Sequence, residues 1–208
     1  MDVFRIAGNT MKKYSNMMDN VASNLANINT TGYKKNEIAF KVENSIPVSF
    51  SYSILKQGEL YKTDSMYDIS LDGNGFFELD GEEKKIYSRG GRIEINNNGE
   101  MVDTNGNYYI GENGKIKIDK NVEFSIKHNG EIIQNSKVID KFKIFNLKEK
   151  NNILRYNNSS FLYEGSKEEA EAKVYQGFIE NSNVNPVEEM SSIIKISRNF
   201  GSLEKMIS

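Results

Sequence analysis

Side chains that commonly carry catalysis are scarce in this chain of 208 residues, which has one histidine and no cysteine. Without cysteine there are no disulfides, thiolate nucleophiles or cysteine-ligated metals. The single histidine, His128, precedes Asn129-Gly130, a pair typical of a tight turn, so we interpret it as a solvent-facing turn residue. One histidine without cysteines is also a poor metal site. We therefore predict no catalytic residue, no metal and no cofactor.

One stretch has the beginning of a calcium-binding loop. Asp103, Asn105 and Asn107 have the spacing of the first three ligands of such a loop. Tyr108 stands where the loop needs glycine, and Gly114 stands where it needs the terminal glutamate, so we interpret the stretch as a hairpin turn. The chain also has no Gly-Lys-Ser/Thr phosphate-binding loop and no Gly-x-Ser-x-Gly nucleophile elbow. These motifs give no support to an enzyme.

Charge and hydropathy exclude further classes of protein. The formal net charge of -2 gives no basic footprint for nucleic acid. No apolar run reaches the 18 residues that a membrane-spanning helix needs. The first residues, Met1 to Arg5, lack the charged segment and apolar block of a secretion signal. We expect no nucleic-acid partner, no membrane span and no cleaved signal peptide.

Two elements at the chain ends would have to position any interaction surface. The spacing of apolar residues predicts a helix over residues 1–28, with alternating steps of three and four. This stripe comprises Phe4, Ala7, Met11, Tyr14, Met18, Val21 and Leu25. Residues 27–32, rich in Asn and ending in Gly32, predict its end.

The last segment predicts a second helix. Asn185 suits the N-cap, Pro186 the first helical position, and Glu188 and Glu189 the first turn, where the helix dipole favours negative charge. An apolar stripe follows, with Met190 alongside it: Ile193, Ile196, Phe200, Leu203 and Ile207. Each chain end therefore carries one amphipathic helix.

The middle of the chain, residues 36–175, has a different pattern. Asp-Gly and Asn-Gly pairs punctuate short apolar stretches, and such pairs favour the tight turns of β-hairpins. The predicted strands are Tyr67–Leu71, Phe76–Leu79, Lys85–Ser88, Arg92–Ile95, Tyr108–Ile110, Lys115–Ile118, Val122–Ile126 and Lys141–Phe145. Strands this short and this evenly spaced indicate an antiparallel β-domain.

We therefore predict an α+β fold in which the N- and C-terminal helices pair as a coiled coil beside a central all-β antiparallel domain. The chain is predicted to divide into an N-terminal helical segment (residues 1–35), a β-domain (36–175) and a C-terminal helical segment (176–208). Ordering the backbone of one such helix costs more than one apolar stripe returns. We hypothesise that the ends are loose in a free monomer. The alternative is that both helices simply pack on the β-domain.

Several strings resemble a known family. Residues 22–34 (ASNLANINTTGYK) resemble the N-terminal signature of bacterial flagellar rod and hook proteins, and residues 176–190 (QGFIENSNVNPVEEM) resemble their C-terminal signature. Residues 57–60, 68–77 and 87–89 resemble the central β-domain of that family. The resemblance covers nearly the whole chain in order. Each string alone is weak evidence for the family, whereas all of them together are specific for it.

The resemblance implies an axial subunit of the flagellar basal body that polymerises helically through its terminal helices and transmits torque. It also implies passage through the flagellar type III export apparatus, uncleaved, to an extracytoplasmic position. The implied partners are copies of the chain and neighbouring rod or hook proteins. The short connection between Gly32 and Gln57 and the segment 110–118 are most similar to proximal rod members. Distal rod and hook-type members are the alternatives.

The predicted assembly interface lies in the two helical segments and their junctions. Asn24, Leu25, Asn27, Thr31 and Gly32 would shape the exit from the first helix. The predicted interface residues are Phe4, Ala7, Met11, Tyr14, Met18, Val21, Asn24, Leu25, Asn27, Thr31, Gly32, Ser182, Asn183, Val184, Asn185, Val187, Met190, Ile193, Ile196, Phe200, Leu203 and Ile207. A competing hypothesis is a binding module whose β-domain recognises peptidoglycan or a ring protein. A β-rich hydrolase is a third, for which no acid/base pair can be located.

Overall fold

A computed structural model of the chain describes residues 3–43, 46–81, 83–149 and 152–207. It has a helix at each end, α1 (Val3–Ala26) and α2 (Pro186–Ile207). Helix α1 ends before the Asn-rich stretch, as the sequence predicts, and Gly32 beyond it adopts a left-handed φ of 70°. Neither helix has a stretch apolar enough to cross a membrane over the residues described.

Between the helices the chain forms short strands. All their pairings are antiparallel. The strands are β1 (Asn36–Glu43), β2 (Ile46–Ser53), β3 (Leu60–Lys62), β4 (Asp68–Asp72), β5 (Phe76–Asp80), β6 (Lys85–Ser88), β7 (Gly90–Ile95), β8 (Met101–Asp103), β9 (Tyr108–Gly111), β10 (Gly114–Lys115), β11 (Phe124–Ile126), β12 (Glu131–Gln134), β13 (Lys137–Lys141), β14 (Ile144–Leu147), β15 (Ile153–Arg155), β16 (Ser160–Tyr163), β17 (Lys167–Glu169), β18 (Lys173–Gln176) and β19 (Phe178–Glu180).

The strands form four sheets. The largest has 12 strands, with the main order β15-β16-β6-β5-β9-β8-β7-β4-β18, while β10 adds to β9 and β14 joins β5 to β17. Strands β11, β12 and β13 form a three-stranded sheet, and β1 and β2 pair in a separate hairpin. Strand β19, just before α2, pairs with β3. This last ladder ties the end of the β-domain to the segment that follows the hairpin.

Two hydrophobic clusters fill the β-domain. The larger contains Ile69, Leu71 and Phe77 among its fully buried members, and the smaller contains Phe76 and Phe161. Consecutive strand residues point to opposite faces, which is why the neighbours Phe76 and Phe77 belong to different clusters. Both clusters consist of residues from the strands and the turns between them, and neither includes a residue of α1 or α2.

The predicted strands coincide largely with observed ones, but the sequence pattern missed several elements. Of the predicted strand Lys115–Ile118, Lys115 alone lies in β10, although Ile116 is fully buried. The predicted strand Lys141–Phe145 spans the break between β13 and β14. No strand was predicted for the β1–β2 hairpin. In β2, Val48, Phe50 and Tyr52 alternate with serines, a strand pattern that the predicted strands leave out, and β1 of the hairpin contacts α1. A two-stranded hairpin needs such support because it is marginal alone.

The predicted fold class, α+β with terminal helices pairing as a coiled coil, is wrong. The described chain is mostly β-strand, and its two helices lie at the ends and contribute nothing to the hydrophobic clusters. The helices do contact each other. A coiled coil requires a continuous buried apolar seam. Here Met11 and Met18 stay half-buried, and a buried polar pair, Asn24 and Glu189, lies between the helices.

Candidate assembly interface

The apolar stripes of the two helices face each other. The helices run antiparallel, since Asn24 near the end of α1 contacts Glu189 near the start of α2. Ala7, Val21 and Ile196 are buried. The remaining stripe residues that the structure describes are half-buried: Met11, Tyr14, Met18, Leu25, Ile193, Phe200 and Leu203. The side chains of Phe4 and Ile207 lie outside the described residues. The single chain thus buries each stripe only in part.

Two other predicted interface residues face solvent. Val187 is 70% exposed and Met190 is 58% exposed, on the side of α2 away from α1. Ile194, which was not predicted as an interface residue, is 53% exposed on the same side. Burying such side chains stabilises a complex by roughly 1.5–3 kcal/mol each, as an upper bound. Helix α2 therefore presents apolar surface that the rest of the described chain does not cover.

Asn24 organises the junction between the helices and the β1–β2 hairpin. Its side chain is fully buried, and its amide donates to the carbonyl oxygen of Asn36 at 2.9 Å and to Glu189 Oε2 at 3.1 Å. Its Oδ1 accepts from the Tyr33 hydroxyl at 3.1 Å and from the Asn36 amide at 2.9 Å. A buried amide with all these partners fixes the exit of α1 relative to the start of α2.

Glu180 lies at the centre of a second, ionic cluster. Its Oε1 accepts from the Lys34 ammonium and from the Gly58 amide, and its Oε2 accepts from Arg89 Nε at 2.8 Å. Lys34, Arg89 and Glu180 are all nearly or completely buried. The backbone carbonyl of Glu180 also accepts from the Gly32 amide at 2.7 Å. One residue thus connects the exit of α1, the segment before β3 and the β-domain.

The other nitrogens of the Arg89 guanidinium donate to backbone carbonyls. Its guanidinium donates to the carbonyl oxygens of Leu71 at 2.8 Å, Gly73 at 2.8 Å and Gly75 at 2.5 Å. A planar guanidinium presents several donors in fixed directions, which suits a bend where three carbonyls converge. Arg89 therefore stabilises the turn between β4 and β5 while it pairs with Glu180.

The neighbouring lysines Lys34 and Lys35 have opposite pKa shifts. Burial lowers the pKa of Lys34 below its ordinary value of 10.5, although Glu180 acts against that effect. The hydrogen bond from Lys35 to Glu189 raises the pKa of Lys35, and its Nζ lies 2.8 Å from Glu189 Oε1. Lys34 thus belongs to the interior and Lys35 to the partly exposed helix junction.

Asn183 ties the start of the C-terminal segment to the N-terminal half. Its Oδ1 accepts from the Lys35 amide at 2.6 Å, and its amide group donates to the carbonyls of Ile54 at 2.7 Å and Lys56 at 2.8 Å. Arg155 adds a contact from β15, since its guanidinium lies over the Tyr33 ring at 4.6 Å. These bonds hold the hairpin and both chain ends in one arrangement.

The other predicted junction residues have local roles. Asn185 Oδ1 accepts from the Val187 amide at 3.0 Å, so Asn185 is the N-cap of α2, as the sequence predicts. Asn27 donates to the Ser23 carbonyl at 2.8 Å and accepts from Thr30, closing the end of α1. Ser182 accepts from the amide of the buried Val184 at 3.3 Å. Thr31 is half-buried.

Sequence reasoning missed the charged residues of the junction. Lys34, Arg89, Glu180 and Glu189 are buried in the structure, whereas charged residues usually lie on the surface. Glu180 and Glu189 lie inside one of the strings that resemble the rod and hook family, and Lys34 and Arg89 each end another. Their position in those strings was the only signal available, because charge alone gives no sign of burial.

A cleft of about 1260 Å³ separates the β1–β2 hairpin from the β-domain. Its wall combines apolar residues such as Phe50, Leu147 and Leu154 with Lys56 and Lys148. Among the described residues that line it, none is acidic. The cleft is therefore basic and apolar in a chain whose net charge is -2.

The residues considered for chemistry adopt structural roles. His128 lies in the turn between β11 and β12, and its Nδ1 lies 3.0 Å from the Val174 carbonyl oxygen. Asp103 Oδ1 accepts from the amides of Asn105 at 2.8 Å and Asn107 at 2.9 Å, which is a turn arrangement. The described part of the chain contains no group of three or more potential metal-binding side chains.

Three family models match the chain in order. Residues 4–34 match the model described as flagella basal body rod protein. Residues 70–134 match the D1 domain of the flagellar hook protein FlgE/F/G, and residues 175–208 match the C-terminal region of flagellar basal body rod FlgEFG proteins. The first and last ranges contain the two helices and their junction residues.

Full-length relatives agree with these models. The flagellar basal-body rod protein FlgF of Buchnera aphidicola subsp. Schizaphis graminum is 30% identical, over 90% of this chain and 85% of the relative. FlgF of Mesorhizobium japonicum is 28% identical, over 88% and 82%. FlgG of Bacillus subtilis, also described as a flagellar basal-body rod protein, is 26% identical, over 95% and 90%.

Proposed function

The chain belongs to the flagellar basal-body rod protein family, and from this premise we propose that it is a structural axial subunit of the rod rather than an enzyme. It polymerises helically through its terminal helices, and the resulting rod transmits torque in motility. Its partners are copies of itself and neighbouring rod or hook proteins.

The incomplete burial of the terminal helices is the observation that carries this proposal. Stripe residues such as Met18 and Phe200 remain half-buried when α1 and α2 pair within one chain. Val187 and Met190 face solvent on the outer side of α2. Residues 1–35 and 176–208 thus form the assembly segments, and residues 36–175 form the β-domain they flank.

The junction gives these helices a defined direction. Glu180 and Asn24 link the end of α1 and the start of α2 to the β-domain through buried hydrogen bonds. A subunit that transmits torque needs such a connection, because a freely jointed helix pair would rotate without turning the domain it carries. The junction residues therefore serve assembly because they fix the direction of the two helices relative to the β-domain.

The proposal is tested by placing a charge in the helix stripe. Leu25→Glu or Phe200→Glu should prevent incorporation into basal bodies, because a carboxylate cannot be buried in an apolar contact without a large desolvation penalty. Incorporation is measured by electron microscopy of basal bodies carrying the tagged chain, and motility is scored in parallel.

The matched control is Ser23→Glu, which places the same charge on an exposed position of α1. Circular dichroism should show an unchanged β-domain in all three variants, since the β-domain clusters contain no helix residue. Normal rods from Leu25→Glu and Phe200→Glu would contradict the proposal.

We also propose a proximal position in the rod, with a distal position as the alternative. The alignment with FlgG of Bacillus subtilis runs over 245 residues, which exceeds the 208 residues of this chain. That relative therefore carries residues without counterparts here, which agrees with the short connection between Gly32 and Gln57 that favours a proximal member. Labelling the chain in purified basal bodies would distinguish the proximal end of the rod from the distal end.

Export through the flagellar type III apparatus to an extracytoplasmic site is part of the same proposal. In a strain with an inactive export apparatus, the chain should stay in the cytoplasmic fraction. Appearance outside the inner membrane in that strain would contradict this route.

The basic cleft favours a second role for the β-domain, namely binding to peptidoglycan or a ring protein. Lys56 gives it a positive charge that suits an anionic partner, whereas Lys148 pairs with Glu168. Co-sedimentation with purified peptidoglycan, compared between the natural chain and Lys56→Glu, would test it. Equal sedimentation of both chains, or of neither, would count against this role.

A further inference from the structure

Helix α2 has an outer face that the described chain leaves uncovered. Val187, Met190 and Ile194 lie on it, and Gly201 follows Ile194 by seven residues, which places it on the same side. The buried Ile196 points the other way, toward α1. The outer face is therefore separate from the stripe that pairs the two helices in one chain.

Helix α1 has an exposed face that is rich in small residues. Gly8, Ser15, Ala22 and Ala26 are all exposed, and the exposed Lys12 and Asp19 lie between them on the same side, at steps of three and four residues. Residues at these steps line one side of a helix. The small side chains leave room beside Lys12 and Asp19 for large side chains such as Met190 and Ile194.

Within the described chain, no close contact requires glycine at the two helix positions Gly8 and Gly201. A Cβ added to Gly8 or to Gly201 would meet nothing within 4 Å, and neither residue has a positive φ. Glycine inside a helix lowers stability relative to alanine. Close approach of another backbone is what glycine allows at such a site, so Gly201 suits contact with a neighbouring helix.

Charges beside the two faces are complementary. Asp19 and Arg198 are both exposed, and neither forms an ion pair with another described residue. In an antiparallel register that sets Ala22 against Ile194, Ala26 meets Met190. The same register brings Asp19 beside Arg198. Opposite charges at this position select one register and one partner orientation.

We propose that the outer face of α2 docks, antiparallel, on the small-residue face of α1 in a second copy of the chain, with Asp19 and Arg198 paired across the contact. The inference rests on the proposed rod function and specifies its subunit contact. The two faces differ, so the interface is heterologous. A heterologous contact that does not close on itself propagates into a helical assembly, which a rod requires.

Charge reversal tests the pair. Asp19→Arg and Arg198→Asp should each lower the amount of chain incorporated into basal bodies at least tenfold, and the double variant should restore it to within threefold of the natural chain. Incorporation of both single variants at the natural level, or a double variant no better than either single one, would overturn the proposal. If the natural chain itself is not incorporated, the rod function fails as well.

Cysteine cross-linking tests the register without disturbing charge, since the chain has no cysteine. Ala22→Cys combined with Ile194→Cys should give a ladder of disulfide-linked copies when basal bodies are oxidised. In the matched control, Ser23→Cys replaces Ala22→Cys, which turns the thiol by about 100° around α1. The control should give at least tenfold less ladder. Equal ladders from the two pairs, or no ladder from Ala22→Cys with Ile194→Cys, would overturn the register.

Discussion

At the residue scale, the junction depends on a few buried charges whose partners come from distant parts of the sequence. Glu180 accepts hydrogen bonds from Lys34 and Arg89, and all three side chains are nearly or completely buried. Replacing a whole buried ion cluster by apolar residues can be neutral, whereas removing one member leaves the others buried and unpaired. The cluster therefore acts mainly to specify how the chain ends meet the β-domain.

The variant Glu180→Gln should destabilise the chain by about 3–5 kcal/mol, because Lys34 and Arg89 would then be buried without a counter-charge. Urea unfolding followed by circular dichroism measures the change. The control is Glu168→Gln, which removes the exposed partner of Lys148 and should change stability by no more than about 1 kcal/mol. Equal effects of the two substitutions would contradict the role assigned to Glu180.

Glu78 should give the β-domain an acid-dependent stability. Burial by itself raises the pKa of Glu78, but hydrogen bonds from Lys167 and Lys85 outweigh it and hold the pKa below the ordinary value of 4.5. A carboxyl with a lowered folded-state pKa contributes stability above its unfolded pKa, and that contribution is lost as the pH falls through the folded-state pKa.

Unfolding free energy measured from pH 7 downward should therefore decline below about pH 4.5. In Glu78→Gln, which cannot titrate, the decline should be smaller and the stability at pH 7 lower. A decline of the same size in both chains would show that other carboxyl groups cause it.

At the element scale, helix α2 begins where its capping residues dictate. Asn185 accepts from the Val187 amide, and its own amide donates to Glu188 Oε1 at 3.2 Å. The bond to the Val187 amide satisfies one of the backbone groups that the first turn of a helix leaves without partners. The cap also sets the direction in which α2 leaves the junction.

Asn185→Ala should destabilise α2 by about 1 kcal/mol, through loss of the cap. Hydrogen exchange at the amides of the first turn of α2 should then be faster by roughly fivefold, following from that energy. Ser191→Ala is the control, since the Ser191 hydroxyl donates to the Val187 carbonyl within the same helix. Exchange unchanged by Asn185→Ala would mean that the junction, not the cap, holds this turn.

At the scale of the whole molecule, the β-domain and the helix pair have separate sources of stability. The clusters around Phe77 and Phe161 lie within the β-domain, whereas the well-buried apolar side chains among the described helix residues are Ala7, Val21 and Ile196. Polar contacts at Asn24 and Glu180 join the two parts. The helices should therefore open at a lower free energy than the β-domain.

Hydrogen exchange on the dilute monomer should show strong protection in strands such as β5 and weak protection in α1. Local opening free energies follow the apolar surface that each region buries. In assembled rods the protection of α1 should rise, because neighbouring copies would cover its exposed side. Protection of α1 equal to that of β5 in a proven monomer would contradict the separation.

The sequence by itself determined the elements whose causes are local. The three-four spacing from Ala7 to Leu25 predicts α1, Asn185 and Pro186 predict the start of α2, and Asn-Gly and Asp-Gly pairs predict the turns of the β-domain. Each of these rests on backbone preferences within a few residues. The strings at 22–34 and 176–190 also identified the family.

Tertiary structure alone decided the fold class and the junction. Whether two stripes close into a coiled coil depends on which side chains end up buried, and Asn24 with Glu189 between the helices could not be foreseen from either stripe. The partners Lys34, Arg89 and Glu180 are separated by 55 residues or more, so no local pattern links them. Burial and long-range pairing are properties of the folded chain, and a periodic sequence pattern contains neither.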